Sequence, residues 1–298
     1  MKDSADLCAL PSRPQVLLVG KVPSIYSLND EDLDRLADAA ITDPDSLRER
    51  EAQHLDSLDR VRQALNGCRI RERRVDELRS DDLAGIDLVV CVGGDGTVLA
   101  VAGLLPAVPL LAVNSDPSRS VGHFTRYRDH EMGACLERLR SGAAEVEAIP
   151  RLTACVGEQP ACHHILNDAL FTNENPAAMT RYRLRIDQQT ELQHSSGVWI
   201  STGAGSTAAI HSAGLDPISP HESALLFLVR EPYQGRGPLR LLRGRHLPPQ
   251  TLELTAAATG IRLYIDGSHS WLPVPAGITA HFSASPYPLR LVADCSTS

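Results

Sequence analysis

Three glycines surround one carboxylate at Gly93-Gly94-Asp95-Gly96, and Thr97 follows. Residues 86–92 (IDLVVCV) read as a buried strand, and residues 97–105 read as a helix ending before Pro106. A glycine turn between strand and helix suits phosphate. Glycine permits positive φ and close approach of a ligand to the amides, and the helix N-terminus carries about half a positive charge. A carboxylate among phosphates is repulsive, so Asp95 needs a purpose. It could hold a metal ion, take a proton from an attacking hydroxyl, or cap the helix beginning at Thr97. Capping alone does not require three glycines. The loop lacks the Lys-Ser/Thr ending of a P-loop, which excludes Walker-type binding.

Other groups invite chemistry and carry less of it. Gly203-Ala204-Gly205-Ser206-Thr207-Ala208 fits G-x-G-x-x-A and follows the apolar run 198–200. A dinucleotide oxidoreductase would need an acid after the next strand, near Glu222, but Pro217 and Pro220 interrupt the unit. His163 and His164 are adjacent, so in a strand they face opposite ways and cannot share a metal. Ser195, Ser196 and His211 lack a G-x-S-x-G elbow. Arg230, Arg236, Arg240, Arg243 and Arg245 lie in a Pro/Gly-rich stretch read as a long exposed loop, the alternative being a phosphate- or subunit-contacting arm.

The elements that must position these groups fall into two sets. Apolar runs at 16–20, 86–92 and 109–113, with a further strand at 68–75, alternate with helical patterns at 31–41, 47–65 and 97–105. That alternation predicts a parallel sheet covered on both faces. One more helix is expected near 129–140. Strand signals then dominate: Tyr182, Leu184 and Ile186 alternate with three arginines, Ile261, Leu263 and Ile265 alternate with Arg262 and Tyr264, and Leu289 and Leu291 suggest a last strand. The expected organisation is an α/β domain over residues 1–120, a β-rich domain over 121–284, and a tail, 285–298, returning to the first. Hydrophobic residues make up 43% of the 298, enough for a core of this size, and aliphatic side chains must fill it because aromatics are only 4%.

Net charge of -8 with no basic block argues against nucleic acid as a partner. Seven scattered cysteines without C-x-x-C argue against a disulfide framework and for a reducing compartment. No apolar stretch reaches the ~20 residues that span a bilayer, and the first fifteen residues resemble neither a signal nor a transit peptide. A soluble cytoplasmic protein is expected.

Gly93-Gly94-Asp95-Gly96-Thr97 resembles the motif shared by NAD kinases, diacylglycerol and sphingosine kinases and, more loosely, phosphofructokinases. Asn167-Asp168 resembles the Asn-Glu/Asp pair of NAD kinases, residues 201–208 (STGAGSTA) their Ser/Thr-rich glycine loop, and Asp266-Gly267 a late Asp-Gly. The order and approximate spacing are the family's, from about residue 86 to 270. Residues 114–123 (NSDPSRSVGH) and Arg230-Glu231-Pro232 are similar to the mitochondrial-type branch.

This resemblance implies an NAD kinase that uses ATP or polyphosphate to phosphorylate the 2′-hydroxyl of the adenosine ribose. Asp95 would be the general base, beside Gly96 at the NAD site. Gly93 and Gly94, with Gly96 and Thr97, would face the donor phosphates. Asn167, Asp168, Ser196, Thr207, Ala208 and Ser212 would contact NAD. Mg²⁺ would arrive with the donor, held mostly by phosphate oxygens and water rather than by protein ligands. A homodimer or higher oligomer is implied, in which the β-rich domain can complete a neighbour's NAD site. Departures concern NAD more than the chemistry: Ser196-Gly197 replaces Asp-Gly, Gly203-Ala204 replaces Pro-Thr, and Ala209 replaces an aromatic. The rivals are a lipid kinase sharing Asp95 and a non-catalytic nucleotide sensor of the same fold.

Overall fold

A computed structural model describes residues 6–41, 43–105, 107–119, 122–158, 162–233, 235 and 237–293, without the side chains of residues 6–8 and Ser24. The chain forms two compact units. The first holds the described residues of Met1–Val101, Ala107–Glu147 and Arg290–Ser298; the second holds those of Ala102–Pro106 and Ala148–Leu289. The helix expected near 129–140 thus belongs to the first unit, which runs on to Glu147.

The first unit is built on β1 (Asp6–Cys8), β2 (Gln15–Gly20), β3 (Arg69–Arg74), β4 (Leu88–Gly93), β5 (Leu110–Asn114) and β6 (Ala144–Ile149). With the C-terminal strand Leu289–Val292 they form one sheet, ordered β1-β6-C-terminal strand-β5-β4-β2-β3. The pairings β3–β2–β4–β5 and β5 to the C-terminal strand are parallel. Strands β4 and β5 are buried at every position, because a parallel sheet has both faces covered. Helices α1 (Asp30–Asp38), α2 (Pro44–Ala64), α3 (Asp95–Ala102) and α4 (Met132–Ser141) complete the unit. Asn29 and Asp43 cap the first two by accepting from the amides of Asp32 and Asp45. Helix α4 stops at Gly142, which takes φ 71°. Val61, Leu65, Met132, Cys135, Leu136 and Leu139 pack onto Val16, Leu18, Val90 and Val92 in one core.

The second unit contains β7 (Leu152–Val156), β8 (Cys162–Ile165), β9 (Asp168–Asn173), β10 (Thr180–Ile186), β11 (Gln189–Ser195), β12 (Gly197–Ser201), α5 (Ala209–Ser212), β13 (Leu225–Arg230), β14 (Arg243–His246), β15 (Leu252–Ala256), β16 (Ile261–Ile265), β17 (Trp271–Val274) and β18 (Thr279–Ala284). They make two antiparallel six-stranded sheets, β11-β10-β15-β18-β7-β8 and β14-β13-β12-β9-β16-β17. Strand β10 shows the logic. Tyr182, Leu184 and Ile186 are buried, while Arg181, Arg183 and Arg185 face water. With Phe171, Val198, Ile200, Phe227, Leu254, Leu263 and Phe282 they fill one core.

Two expectations need correction. The stretch 230–249 is not a single long loop, since β14 pairs with β13 from Leu225↔His246 to Leu228↔Arg243. Arg236 lies outside the described residues. Of the others, Arg230 sits over the Trp199 ring at 5.8 Å, Arg245 pairs with Glu222, and the Arg240 amide donates to Glu191. Cysteine spacing also misled: Cys155 and Cys162 are disulfide-bonded with Cα atoms 4.5 Å apart. They are directly opposed across β7–β8, a register that spacing alone does not reveal.

Candidate active site

The phosphate-type loop of the first unit lies at the C-terminal edge of the parallel strands. Buried β4 ends at Gly93, and α3 begins at Asp95. Gly93 is required by packing: a Cβ there would meet Thr97 Oγ1 at 2.4 Å and Lys21 Cβ at 3.1 Å. Thr97 is buried against that strand end, its amide bonded to the Gly94 carbonyl at 2.9 Å. Gly96 is different. It is exposed, and a Cβ added to it meets nothing within 4 Å. Neither a close neighbour nor a positive φ asks for glycine at that point.

Asp95 does not cap its own helix in the expected way. Its carboxylate reaches across to the turn after β5. Oδ2 accepts the His123 amide at 2.8 Å. Oδ1 accepts the amides of Phe124 at 2.9 Å and Thr125 at 3.2 Å, and the Thr125 hydroxyl at 3.3 Å. Gly122, at φ 72°, makes the turn possible, because a Cβ there would lie 3.0 Å from the Thr125 carbonyl oxygen and from Asn114 Nδ2. An ionised carboxylate offers about four acceptor positions. Oδ1 is fully used, and Oδ2 keeps one free. The fixed carboxylate therefore presents a single oxygen as a proton acceptor beside a helix N-terminus.

The second unit repeats the device. Asp266, in the left-handed region at φ 49°, accepts the amides of Leu166 at 2.8 Å, Asn167 at 2.7 Å and Asp168 at 3.1 Å. This shapes the turn that presents Asn167 and Asp168 at the start of β9. The glycine loop after β12 closes on the same turn. A Cβ on Gly205 would lie 2.0 Å from the Asn167 carbonyl oxygen, and one on Gly203 2.4 Å from that of Ser219. Thr202 donates its amide to Asn167 O at 3.0 Å and its hydroxyl to Leu166 O at 2.6 Å. These glycines serve backbone packing in an antiparallel sheet, so the G-x-G-x-x-A match is not a Rossmann fingerprint. Asn167 Oδ1 is buried and has no hydrogen-bond partner among the described residues. Burial pushes Asp168 up to about 6. It pushes Asp266 up to about 7, against the pull of its three amides. A cavity of about 430 Å³ opens beside Asp168, walled by Leu170, Trp199, Tyr264, Gly267 and Ser268.

These features coincide with what is similar elsewhere. Residues 23–144 match the model of the ATP-NAD kinase N-terminal domain. The chain is 31% identical over 238 residues to a probable NADH kinase of Oryza sativa subsp. japonica, covering 72% of this chain and 73% of that one. It is 30% identical over 211 residues to an NAD kinase of Methanospirillum hungatei, covering 69% and 74%. The chain belongs to the NAD kinase family. The crystal structure of an NAD kinase from Archaeoglobus fulgidus in complex with ATP shares the fold, with TM-score 0.64 and 19% identity over 94% of each chain. So does yeast NADH kinase complexed with NADH, with TM-score 0.65 and 18% identity over 95% of this chain and 84% of that one.

Within this NAD kinase fold the sequence-predicted residues form three groups. Gly93, Gly94, Asp95, Gly96 and Thr97 meet at the end of β4. Asn167, Asp168, Thr207 and Ala208 meet where the second glycine loop closes on β9, with Ser212 one short helix further on. Ser196 stands apart. It precedes β12, whose other end pairs Ser201 with Asp168. Five strand residues, about 17 Å, separate it from that end. Ser195 is no nucleophile: its buried hydroxyl bonds Tyr182 Oη at 2.9 Å, and His211 Nδ1 lies 3.1 Å from the carbonyl oxygen of Leu215, past the end of α5. Asp266 was readable only as a motif member and a turn. Its function as the clamp on residues 166–168 depends on contacts about 100 residues apart, which spacing does not encode.

Proposed function

We propose that this chain transfers the terminal phosphoryl group of ATP to the 2′-hydroxyl of the adenosine ribose of NAD, giving NADP. The observation that carries the reading is the Asp95 carboxylate, fixed by the amides of residues 123–125 at the head of α3 with one Oδ2 acceptor position open. A ribose hydroxyl is a poor nucleophile at neutral pH, and phosphoryl transfer depends mostly on positioning and charge neutralisation. Asp95 takes the hydroxyl proton. Gly93, Gly94 and Gly96, with the N-terminus of α3, receive donor phosphates, and Gly96 lets the dinucleotide approach. Asp168 accepts ribose hydroxyls, Asn167 offers its amide to the adenine end, and Thr207, Ala208 and Ser212 line that approach. No cluster of three or more His, Cys, Asp or Glu is placed to hold a metal among the described residues. Mg²⁺ would enter with the donor, held mostly by phosphate oxygens and water.

The likeness to plant enzymes named for NADH supports a second acceptor, NADH. Polyphosphate remains an alternative donor. We further read the working form as at least a dimer, on the family resemblance alone. Purified protein assayed with Mg·ATP and either NAD or NADH tests the reading. Formation of NADP or NADPH is expected. Dinucleotide binding without product would make it a sensor, and phosphorylation of diacylglycerol or sphingosine without dinucleotide turnover would make it a lipid kinase.

A further inference from the structure

The order of the first sheet singles out a side chain that the motifs leave aside. Strand β2 continues to β3 on one side, whereas β4, on its other side, continues to β5 in the opposite direction. Connections diverge between β2 and β4, and in open parallel sheets ligands bind beyond the carboxyl ends of the strands at such a point. Gly93 ends β4 there. Lys21 follows the end of β2, with its amide on the Val92 carbonyl at 3.0 Å and its Cβ against Gly93.

Lys21 is only partly exposed and makes no salt bridge among the described residues. Burial is the main influence on its ammonium and disfavours the charge, Asp116 favours it, and Arg50 opposes it. The surroundings are polar and incompletely satisfied. His54 on α2 is 1% exposed and is hydrogen-bonded to the Lys21 main chain. Burial, then the Lys21 charge, pushes it down to about 4, so it is neutral and adds no cation. Its Nδ1 and the hydroxyls of Ser57 and Ser115, 3% and 2% exposed, are buried without hydrogen-bond partners among the described residues. Ser115 donates its amide to the Gly93 carbonyl at 3.1 Å, and both serines line a cavity of about 480 Å³ beyond β5. Buried polar groups left unpaired are costly, as is an unpaired cation. An anion arriving at this edge would relieve both.

We propose that Lys21 is a donor-positioning residue that contacts the phosphate chain of the nucleoside triphosphate at the β2–β4 edge. The inference rests on the kinase reading above. It adds a point charge to a loop that otherwise supplies only amides, and Lys is suited to phosphate in that form. Replacing it with Met keeps the stem and removes the charge.

The test compares wild type, Lys21→Met and Lys21→Arg. For Lys21→Met the KM for Mg·ATP should rise at least 10-fold, that for the dinucleotide should stay within about twofold, and Lys21→Arg should recover most of the loss. Thermal stability of Lys21→Met should equal or exceed wild type, because a partly buried charge has gone. An unchanged KM for Mg·ATP, or a rise confined to the dinucleotide, overturns the proposal. Calorimetry with Mg·ATP and with tripolyphosphate gives an independent measure. Binding weakened at least 10-fold by Lys21→Met upholds the phosphate contact even if wild type makes no NADP, in which case the kinase reading alone fails. Undiminished binding of both probes removes the contact.

Discussion

In the proposed reaction single carboxylates carry most of the chemistry, and their environments separate their tasks. Asp95→Asn leaves one carbonyl oxygen for amides that now surround two. The expected result is a folded protein destabilised by about 1–2 kcal/mol, with kcat lowered about 10²–10⁴-fold. Wild-type turnover in that variant would remove Asp95 from the mechanism. Asp168 makes a pH prediction. Its folded-state pKa, about 6, lies above the ordinary carboxylate value because burial disfavours the charge. Its contribution to stability is thus complete below the unfolded value and lost as pH rises through about 6. Asp168→Asn should therefore be more stable than wild type at pH 8, by on the order of 2 kcal/mol, and equal at pH 4. Denaturant titrations at both values check this. Binding runs the other way: ribose hydroxyls need the carboxylate, so KM for NAD should climb as pH falls through about 6, with no such climb in Asp168→Asn. A common pH profile for the two proteins would place the titration elsewhere.

At the level of strands and turns, the glycines divide into those that the fold needs and one that it does not. Gly205→Ala drives a methyl group into the Asn167 carbonyl and should cost about 3 kcal/mol or more, visible as a lower melting temperature. Gly96→Ala meets open space in a helical turn and should hold or slightly raise stability, since alanine is the better helix former by about 1 kcal/mol. Its loss should appear only in kcat/KM. A large drop in melting temperature for Gly96→Ala, with intact kinetics, would contradict the ligand-approach reading. Sequence legibility follows the same division. Buried strands β2, β4 and β5 were readable because two covered faces demand continuous apolar runs. Strands β10 and β16 were readable because one covered face demands alternation. Strand β14 (RGRH) was not, since its pairing with β13 rather than its own composition makes it a strand.

Across the whole chain, the motifs marked both glycine loops, while the carboxylate clamps that hold the neighbouring turns were hidden. Asp95 holds residues about 30 positions away and Asp266 residues about 100 away; nothing local marks either partner. The first unit runs past residue 120, because Met132, Leu136 and Leu139 of α4 pack onto the first sheet. The C-terminal strand has a further consequence. It lies between β6 and β5, so the first sheet encloses a strand made some 140 residues after β6. Until the ribosome releases that segment, β5 and β6 have no neighbour to join them, and their unpaired amides and carbonyls are open to other chains. The second unit can gather its own strands meanwhile. The enzyme's phosphate loop is thus encoded early and secured last, and a chain terminated before Leu289 should keep the β-rich half while its kinase half aggregates, a split that limited proteolysis of the truncated protein would reveal.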